Sequence, residues 1–155
     1  MTDHSHPMPP LMRQISLTYR YAMRYRDQEL ADTGLNGCQT PYLLTLYRRP
    51  GISQEEMARQ LGVNKSSVAR QLAVLEEMGF VRREGAPGDR RTLLVYPTEK
   101  ALSLQGRIRS VLKTWSELLT EDFTPEEKET LSLLMQRIAV KADAYMNGGD
   151  PPCGR

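Results

Sequence analysis

The sequence predicts a mainly α-helical fold carrying one small β wing, and three observations predict it. Apolar residues recur at three- and four-residue spacing over most of the chain. Around residues 80–96 that spacing gives way to two short β-prone runs with a turn-rich centre. Two N-cap signatures, Ser53 and Asn64, stand so close together that the first opens only a short helix, joined to the second by a tight turn.

The elements follow in order. Residues 1–10 and 147–155 read as a leader and a tail outside the packed fold. From Leu11 to Ala31 the apolar positions Met12, Ile15, Tyr19, Ala22, Met23 and Leu30 describe one helix face, ended by Gly34 and Gly37. Thr40-Pro41 reads as an N-cap followed by Pro at the first helical position, opening a short helix through Tyr47. Ser53-Gln54-Glu55-Glu56 reads as a capping box, with the Ser53 hydroxyl accepting from the Glu56 amide and the Glu56 carboxylate reaching back. The helix it opens carries Met57, Ala58 and Leu61 and stops at Gly62. Asn64 then caps a helix with Val68, Leu72, Leu75 and Met78 on one face, closed by Gly79 at C′.

Phe80–Glu84 and Thr92–Tyr96 read as the strands of a hairpin whose tip is the basic stretch 85–91. Pro97 is expected to shorten the second strand, because it donates no ladder bond. Thr98 caps a long helix carrying Ala101, Leu104, Ile108, Val111, Leu112, Trp115 and Leu119. Thr124-Pro125-Glu126-Glu127 is a further capping box, opening a last helix with Leu131, Leu134, Met135, Ile138, Ala142 and Tyr145.

Composition narrows the function classes. The chain has 155 residues, 39% hydrophobic and 26% charged, with a formal net charge of +2. Those values suit one ordinary globular domain, or one domain with an oligomerisation appendage. No apolar run approaches the ~20 residues of a membrane span, and the N-terminus lacks the basic and apolar regions of a secretory signal, so the expectation is a cytoplasmic protein without membrane contact. Cys38 and Cys153 make neither a disulfide framework nor a zinc cluster. His4 and His6, the only histidines, lie in the Pro-rich leader, and with no catalytic motif elsewhere the sequence predicts no metal, no cofactor and no enzyme activity.

Two helices joined by a tight turn and followed by a basic hairpin make a winged helix-turn-helix. In that arrangement the first helix crosses the phosphate backbone and the second enters the major groove of double-stranded DNA with its N-terminal residues. With Val68, Leu72 and Leu75 toward the core, the opposite face carries Asn64, Lys65, Ser66, Ser67, Arg70 and Gln71. Arg reads guanine bidentately, Gln does the same with adenine, and Ser serves base or phosphate. No acidic residue occurs from Asn64 to Val74. Ser53 and Gln54, at the start of the first helix, and Arg90 and Arg91, at the wing, are candidate backbone and minor-groove contacts. Asp89 is assigned to a pair within the chain that directs one Arg, most simply Arg91. Residues 59–91 hold seven Lys or Arg against four acids, so the small total charge averages a basic lobe with the rest.

The stretch Ser53–Val63, the stretch Asn64–Phe80 ending Leu75-Glu76-Glu77-Met78-Gly79-Phe80, and Asp89-Arg90-Arg91 followed by Thr98-Glu99-Lys100-Ala101 resemble the MarR family of transcriptional regulators. The resemblance covers almost the whole chain. It implies a homodimeric regulator, by family default a repressor, that binds inverted-repeat operators, with an N-terminal dimerisation helix over 11–37, the DNA-binding domain over 38–97 and C-terminal dimerisation helices over 98–146. Met12, Ile15, Leu134, Met135 and Ile138 are the expected dimer contacts. It also implies a pocket for a small aromatic or lipophilic effector, for which Tyr19, Arg20, Met23, Tyr47, Val111, Leu112 and Trp115 are candidates, although ordinary packing explains the same residues. Two further readings stay open: a winged helix used for protein–protein contact, and a redox-sensing regulator that uses Cys38.

Overall fold

The structure, a computed structural model, describes residues 10–147. His4, His6 and Cys153, and with them the expected leader and tail, lie outside the described residues. The elements are α1 (Leu11–Glu29), a 3-10 turn (Ala31–Thr33), α2 (Thr40–Arg48), β1 (Ile52–Ser53), α3 (Gln54–Leu61), α4 (Lys65–Glu77), β2 (Val81–Ala86), β3 (Asp89–Pro97), α5 (Glu99–Ser103), α6 (Gln105–Leu119) and α7 (Pro125–Asn147). The predicted class holds: a mostly helical chain with one small antiparallel sheet, ordered β1-β3-β2.

Several local expectations are corrected. Thr40 is not the N-cap of α2. Asn36 and Gln39 exchange bonds, each side-chain oxygen accepting from the other's amide (3.0 and 3.1 Å), and this turn already feeds the helix. The Thr40 hydroxyl instead donates to the Gly37 carbonyl at 2.7 Å. The helix expected from Thr98 is two helices, broken at Leu104. There the Leu104 amide turns to the Ala101 carbonyl (3.1 Å), and the Ser103 hydroxyl occupies the Lys100 carbonyl (2.7 Å). β1 has no counterpart among the predicted elements. It is two residues long, too short for a periodic signal, and it pairs Ile52 with Val95.

The hairpin is longer than its β-prone runs. Its loop is only Pro87-Gly88, with Gly88 at φ +80°, and a bulge lies between Gly85 and Ala86. Pro97 does not shorten β3. It stands opposite Val81 at the strand's end, and the next amide, Thr98, carries the ladder on to the Phe80 carbonyl at 3.0 Å.

Two other helix ends obey the capping rules in full. Gly79, at φ +78°, closes α4: its amide donates to the Glu76 carbonyl and the Phe80 amide to the Leu75 carbonyl, at 2.9 and 2.8 Å. Thr124 and Glu127 form the full reciprocal box that opens α7, at 2.9 and 3.2 Å.

The core is assembled from residues 30–111. Leu30, Leu43, Leu46, Met57, Val68, Leu72, Leu75, Phe80, Val95, Ala101 and Ile108 are wholly buried. α1 contributes only Ala22 among its own buried residues, and α7 contributes none. Met12, Leu134, Met135 and Ile138 are 66%, 47%, 42% and 39% exposed, and Ile15 is half-buried. Among the described residues no helix is long and apolar enough to cross a membrane.

Candidate nucleic-acid interface

Two short caps aim this site. The Ser53 hydroxyl accepts from the Glu56 amide at 3.1 Å and so opens α3. The reciprocal half of that box does not form: the Glu56 carboxylate turns outward to Arg49, Arg59 and Gln60. Three cations and amides within reach outcompete one backbone N–H. α3 ends at Gly62, φ +64°, and Asn64 immediately opens α4, its side-chain oxygen accepting from the Ser67 amide (2.7 Å) and the Ser66 hydroxyl (2.8 Å). The turn therefore consists of three residues, Gly62-Val63-Asn64.

Val68, Leu72 and Leu75 are wholly buried, which leaves the other face of α4 outward. Asn64, Lys65, Ser66 and Arg70 are exposed there, and Ser67 and Gln71 are half-buried. The Arg70 guanidinium leans toward the Ser67 hydroxyl (3.5 Å). The polar residues of the acid-free run from Asn64 to Val74 thus lie along one accessible surface.

The sheet brings the wing beside this surface. Ser53, Gln54, Lys65 and Arg91, drawn from three separate places in the sequence, line one notch of about 190 Å³ together with Glu55, Thr92 and Leu93. Arg90 and Arg91 are exposed at the base of the hairpin loop. Three acids of this region are paired with cations: Glu55 with Lys65, which itself lines the notch, Glu76 with Arg83 and Glu84 with Arg82.

Asp89 does not pair with the Arg91 guanidinium, the partner expected from the sequence. Its carboxylate accepts from the Arg91 backbone amide (2.9 Å) and the Thr92 hydroxyl (2.7 Å). Those two bonds, Thr92 first, hold the Asp89 carboxyl below its ordinary value. Asp89 therefore fixes the main chain that carries Arg91, because at i+2 the amide is nearer than the side chain's end.

Two participants have no sequence signal. Glu55 bonds Lys65, which holds the Glu55 carboxyl below its usual value. Arg83 joins Glu76 of α4 and Gln54 of α3, so Gln54 already accepts a bond within the chain (3.2 Å). Neither contact has a periodic signature. Both span seven or more residues and depend on the turn geometry.

The effector candidates differ in their surroundings. The Tyr47 hydroxyl donates to the Ala101 carbonyl at 2.6 Å, and burial pushes its pKa up to about 12. Trp115 stacks on Tyr25, with ring centroids 4.7 Å apart. Val111 is buried, Leu112 and Met23 are half-buried, and Tyr19 and Arg20 are exposed. Cys38 is a free, exposed thiol, 3.9 Å from the Met23 sulfur.

The MarR family profile matches residues 33–92, the segment that builds this face. An HTH-type transcriptional regulator of Bacillus subtilis, YybA, is 30% identical over 131 residues, 84% of this chain and 87% of the relative. The chain belongs to the MarR family. A MarR crystal structure superposes with a TM-score of 0.83 at 33% identity, covering 94% of this chain and 98% of that one. A mutant of the E. coli MarR, crystallised with operator DNA, shares the fold at a TM-score of 0.75 and 24% identity, over 83% of this chain and 93% of its own. As a MarR-family member the chain is a transcriptional regulator and not an enzyme.

Proposed function

We propose that the chain binds double-stranded DNA as a homodimer and represses transcription from inverted-repeat operators. The observation that carries this reading is the notch where Ser53, Gln54, Lys65 and Arg91 converge beside the outward face of α4. Lys65 and the Ser53 end of α3 suit a phosphate, Arg70 and Gln71 suit base edges, and Arg90 and Arg91 suit the adjacent minor groove. Asn64, Ser66 and Ser67 hold the start of the reading helix in shape, and Asp89 does the same for the wing. The family supports this assignment through its E. coli member, which has been crystallised with operator DNA.

The homodimer rests on the unpartnered helices. The core ends at Val111, whereas α7 offers Leu134, Met135 and Ile138 to solvent and α1 offers Met12. A second copy covers these faces, with residues 11–37 and 98–146 as the dimer arms and 38–97 as the reading head. Such a dimer places two α4 helices one helical turn apart, so half-site centres stand about 10 bp apart. Selection of binding sites from a random duplex pool, followed by footprinting in the cytoplasm-like salt range, tests this. A two-fold symmetric site is the expected product. Protection of one asymmetric half-site overturns the dimeric reading, and retention of no duplex overturns DNA binding and favours a protein-contact winged helix.

Release by a small aromatic or lipophilic effector is the family's usual control. It requires a ligand that prefers an arrangement in which the two reading helices do not fit DNA. Thermal-shift screening with phenolic compounds, followed by operator binding, tests it. The bonded Tyr47 and stacked Trp115 favour packing for these two residues, so the remaining candidates carry the test. Redox control through Cys38 is tested by comparing DNA binding of wild type and Cys38→Ser with and without peroxide.

A further inference from the structure

One guanidinium ties the wing to both helices of the reading head. The Arg83 amide donates to Glu76 Oε1 at 3.0 Å, and its Nε and Nη2 donate to Oε2 at 3.0 and 2.6 Å. Its Nη1 donates to Gln54 Oε1 at 3.2 Å. Thus α3, α4 and β2 meet at Arg83, and the carboxylate grips both the main chain and the side chain of the strand. The pair is partly shielded, with side chains 22% and 38% exposed. Arg83 stands opposite Val95, which is wholly buried. Beyond it β2 continues through exposed Glu84 and Gly85, and the Arg82–Glu84 and Arg82–Tyr96 contacts stay within the sheet.

Position makes this pair matter. From Arg83 to Gly85, which stands beside Arg90, the strand runs roughly 7 Å, at about 3.3 Å per residue. A rocking of about 20° at Arg83 moves the main chain of Arg90 by roughly 2.5 Å, close to a hydrogen-bond length. Apolar burial does not prevent such rocking, because the packed residues Phe80 and Val81 lie on the hinge side of Arg83. Partly exposed ion pairs contribute little to folding stability. What three bonds to one carboxylate supply is direction.

We propose that Glu76 and Arg83 are positioning residues for DNA binding, setting the angle between the wing and α4 and so the separation of the minor-groove and major-groove contacts. The inference rests on the proposed DNA-binding function. Neither side chain touches DNA in this scheme, and each acts through Arg90 and Arg91.

The test uses the full-length protein and a duplex selected by the wild type from a random pool. Glu76→Gln keeps an acceptor for the Arg83 amide but removes the charge, Glu76→Ala removes both, and Arg83→Lys keeps the charge but loses the fork. Hydroxyl-radical footprinting reads the wing and α4 contacts separately, and calorimetry reads the Tm of the free protein. The expected result is loss of protection at the wing-contacted minor groove with the α4 protections retained. Affinity should fall about tenfold for Glu76→Gln and further for Glu76→Ala, with Tm little changed. Wild-type protection in Glu76→Ala and Arg83→Lys overturns the proposal. Equal loss of wing and α4 protection alongside a lowered Tm also overturns it, because the pair is then merely structural. A wild type that selects no duplex sinks the DNA-binding reading itself, an outcome distinct from both.

Discussion

Arg107 of α6 grips Asp32, 75 residues earlier, through both arms of its guanidinium at 2.7 Å, and the same group donates to the Glu29 carbonyl at the end of α1 at 2.7 Å. The two long arms of the chain are thus tied where they leave the core. The Arg107 bond holds the Asp32 carboxyl below its ordinary value of 3.8. A depressed carboxyl stabilises the fold above its unfolded value and loses that contribution as pH falls through the folded value. Arg107→Ala should therefore lower Tm slightly near neutral pH, since both groups are exposed and screened. The gap from wild type should close as the pH is taken below 3.8. A gap that persists in acid would assign the effect to the Glu29 carbonyl instead.

Asn64 holds the start of α4 through two bonds to one oxygen. Asn64→Ala should cost about 1 kcal/mol of stability, the usual value of an N-cap, and fray the residues aimed at DNA. Asn64→Ser retains an acceptor and should stay near wild type. Urea unfolding of the three proteins checks this, and equal midpoints for Ala and Asn would show that the cap contributes nothing.

Gly37 is required by proximity. A Cβ there would stand 2.7 Å from the Met23 carbonyl oxygen and 3.1 Å from the Met23 Cα, both main-chain atoms of α1 that do not yield easily. The Gly37 amide also donates to Asp27 at 2.6 Å, which locks the loop against that helix. Gly37→Ala should destabilise by roughly 1–3 kcal/mol, as overpacking does. A Gly79→Ala variant should cost about 1 kcal/mol for a different reason: its φ of +78° is strained for alanine although the space is open. Thermal unfolding that ranks Gly79→Ala above Gly37→Ala in damage would reverse this assignment.

What was legible in the sequence follows the range of the interactions. The caps at Ser53, Asn64, Thr98 and Thr124 and the stop at Gly79 are local, three to five residues wide, and each lies where the residues put it. Val68, Leu72 and Leu75 repeat at helical spacing, so the outward face of α4 could be read without coordinates. The notch was legible only as scattered residues. Lys65 and Arg91 meet Ser53 because Ile52 pairs with Val95, and a two-residue strand leaves no pattern. The Arg83–Glu76 bond and the correction at Asp89 have the same origin: an ion's partner is chosen by distance in the fold. The break at Leu104 was hidden because α5 and α6 keep their apolar spacing across it.

Arg91 and Gln71 should fail in different ways. Arg91→Ala removes a cation from the notch beside α4, so affinity should fall alike for all sequences, and the slope of log K against log salt should shrink by about one. Gln71 sits on α4 without net charge. Gln71→Ala should leave the salt slope alone and relax the preference at one base position, by about 1–3 kcal/mol in discrimination. Titrations of each variant against a selected and a scrambled duplex over a salt series separate the two. A salt slope that moves with Gln71→Ala, or holds with Arg91→Ala, would exchange their roles.

The arms make the last prediction. α7 spans 23 residues without one buried side chain, and Leu133, Leu134, Ile138 and Val140 border an open apolar trough along it. Most helical stability in proteins comes from packing an apolar face rather than from propensity. α7 therefore needs a partner surface, and the described part of its own chain provides almost none. Exposed apolar area returns about 25 cal/mol per Å² when covered, so Leu134 and Ile138 together supply several kcal/mol across a two-fold interface that uses each twice. A charge placed at either site costs that burial and adds desolvation. Leu134→Asp and Ile138→Asp should shift the protein from dimer to monomer in sedimentation equilibrium and lose α7 helicity by circular dichroism. The 30–111 core should still unfold cooperatively. DNA affinity should fall far more than in the Arg91 variant, because the monomer engages one half-site alone. A dimer that survives both substitutions would place the interface elsewhere on the molecule.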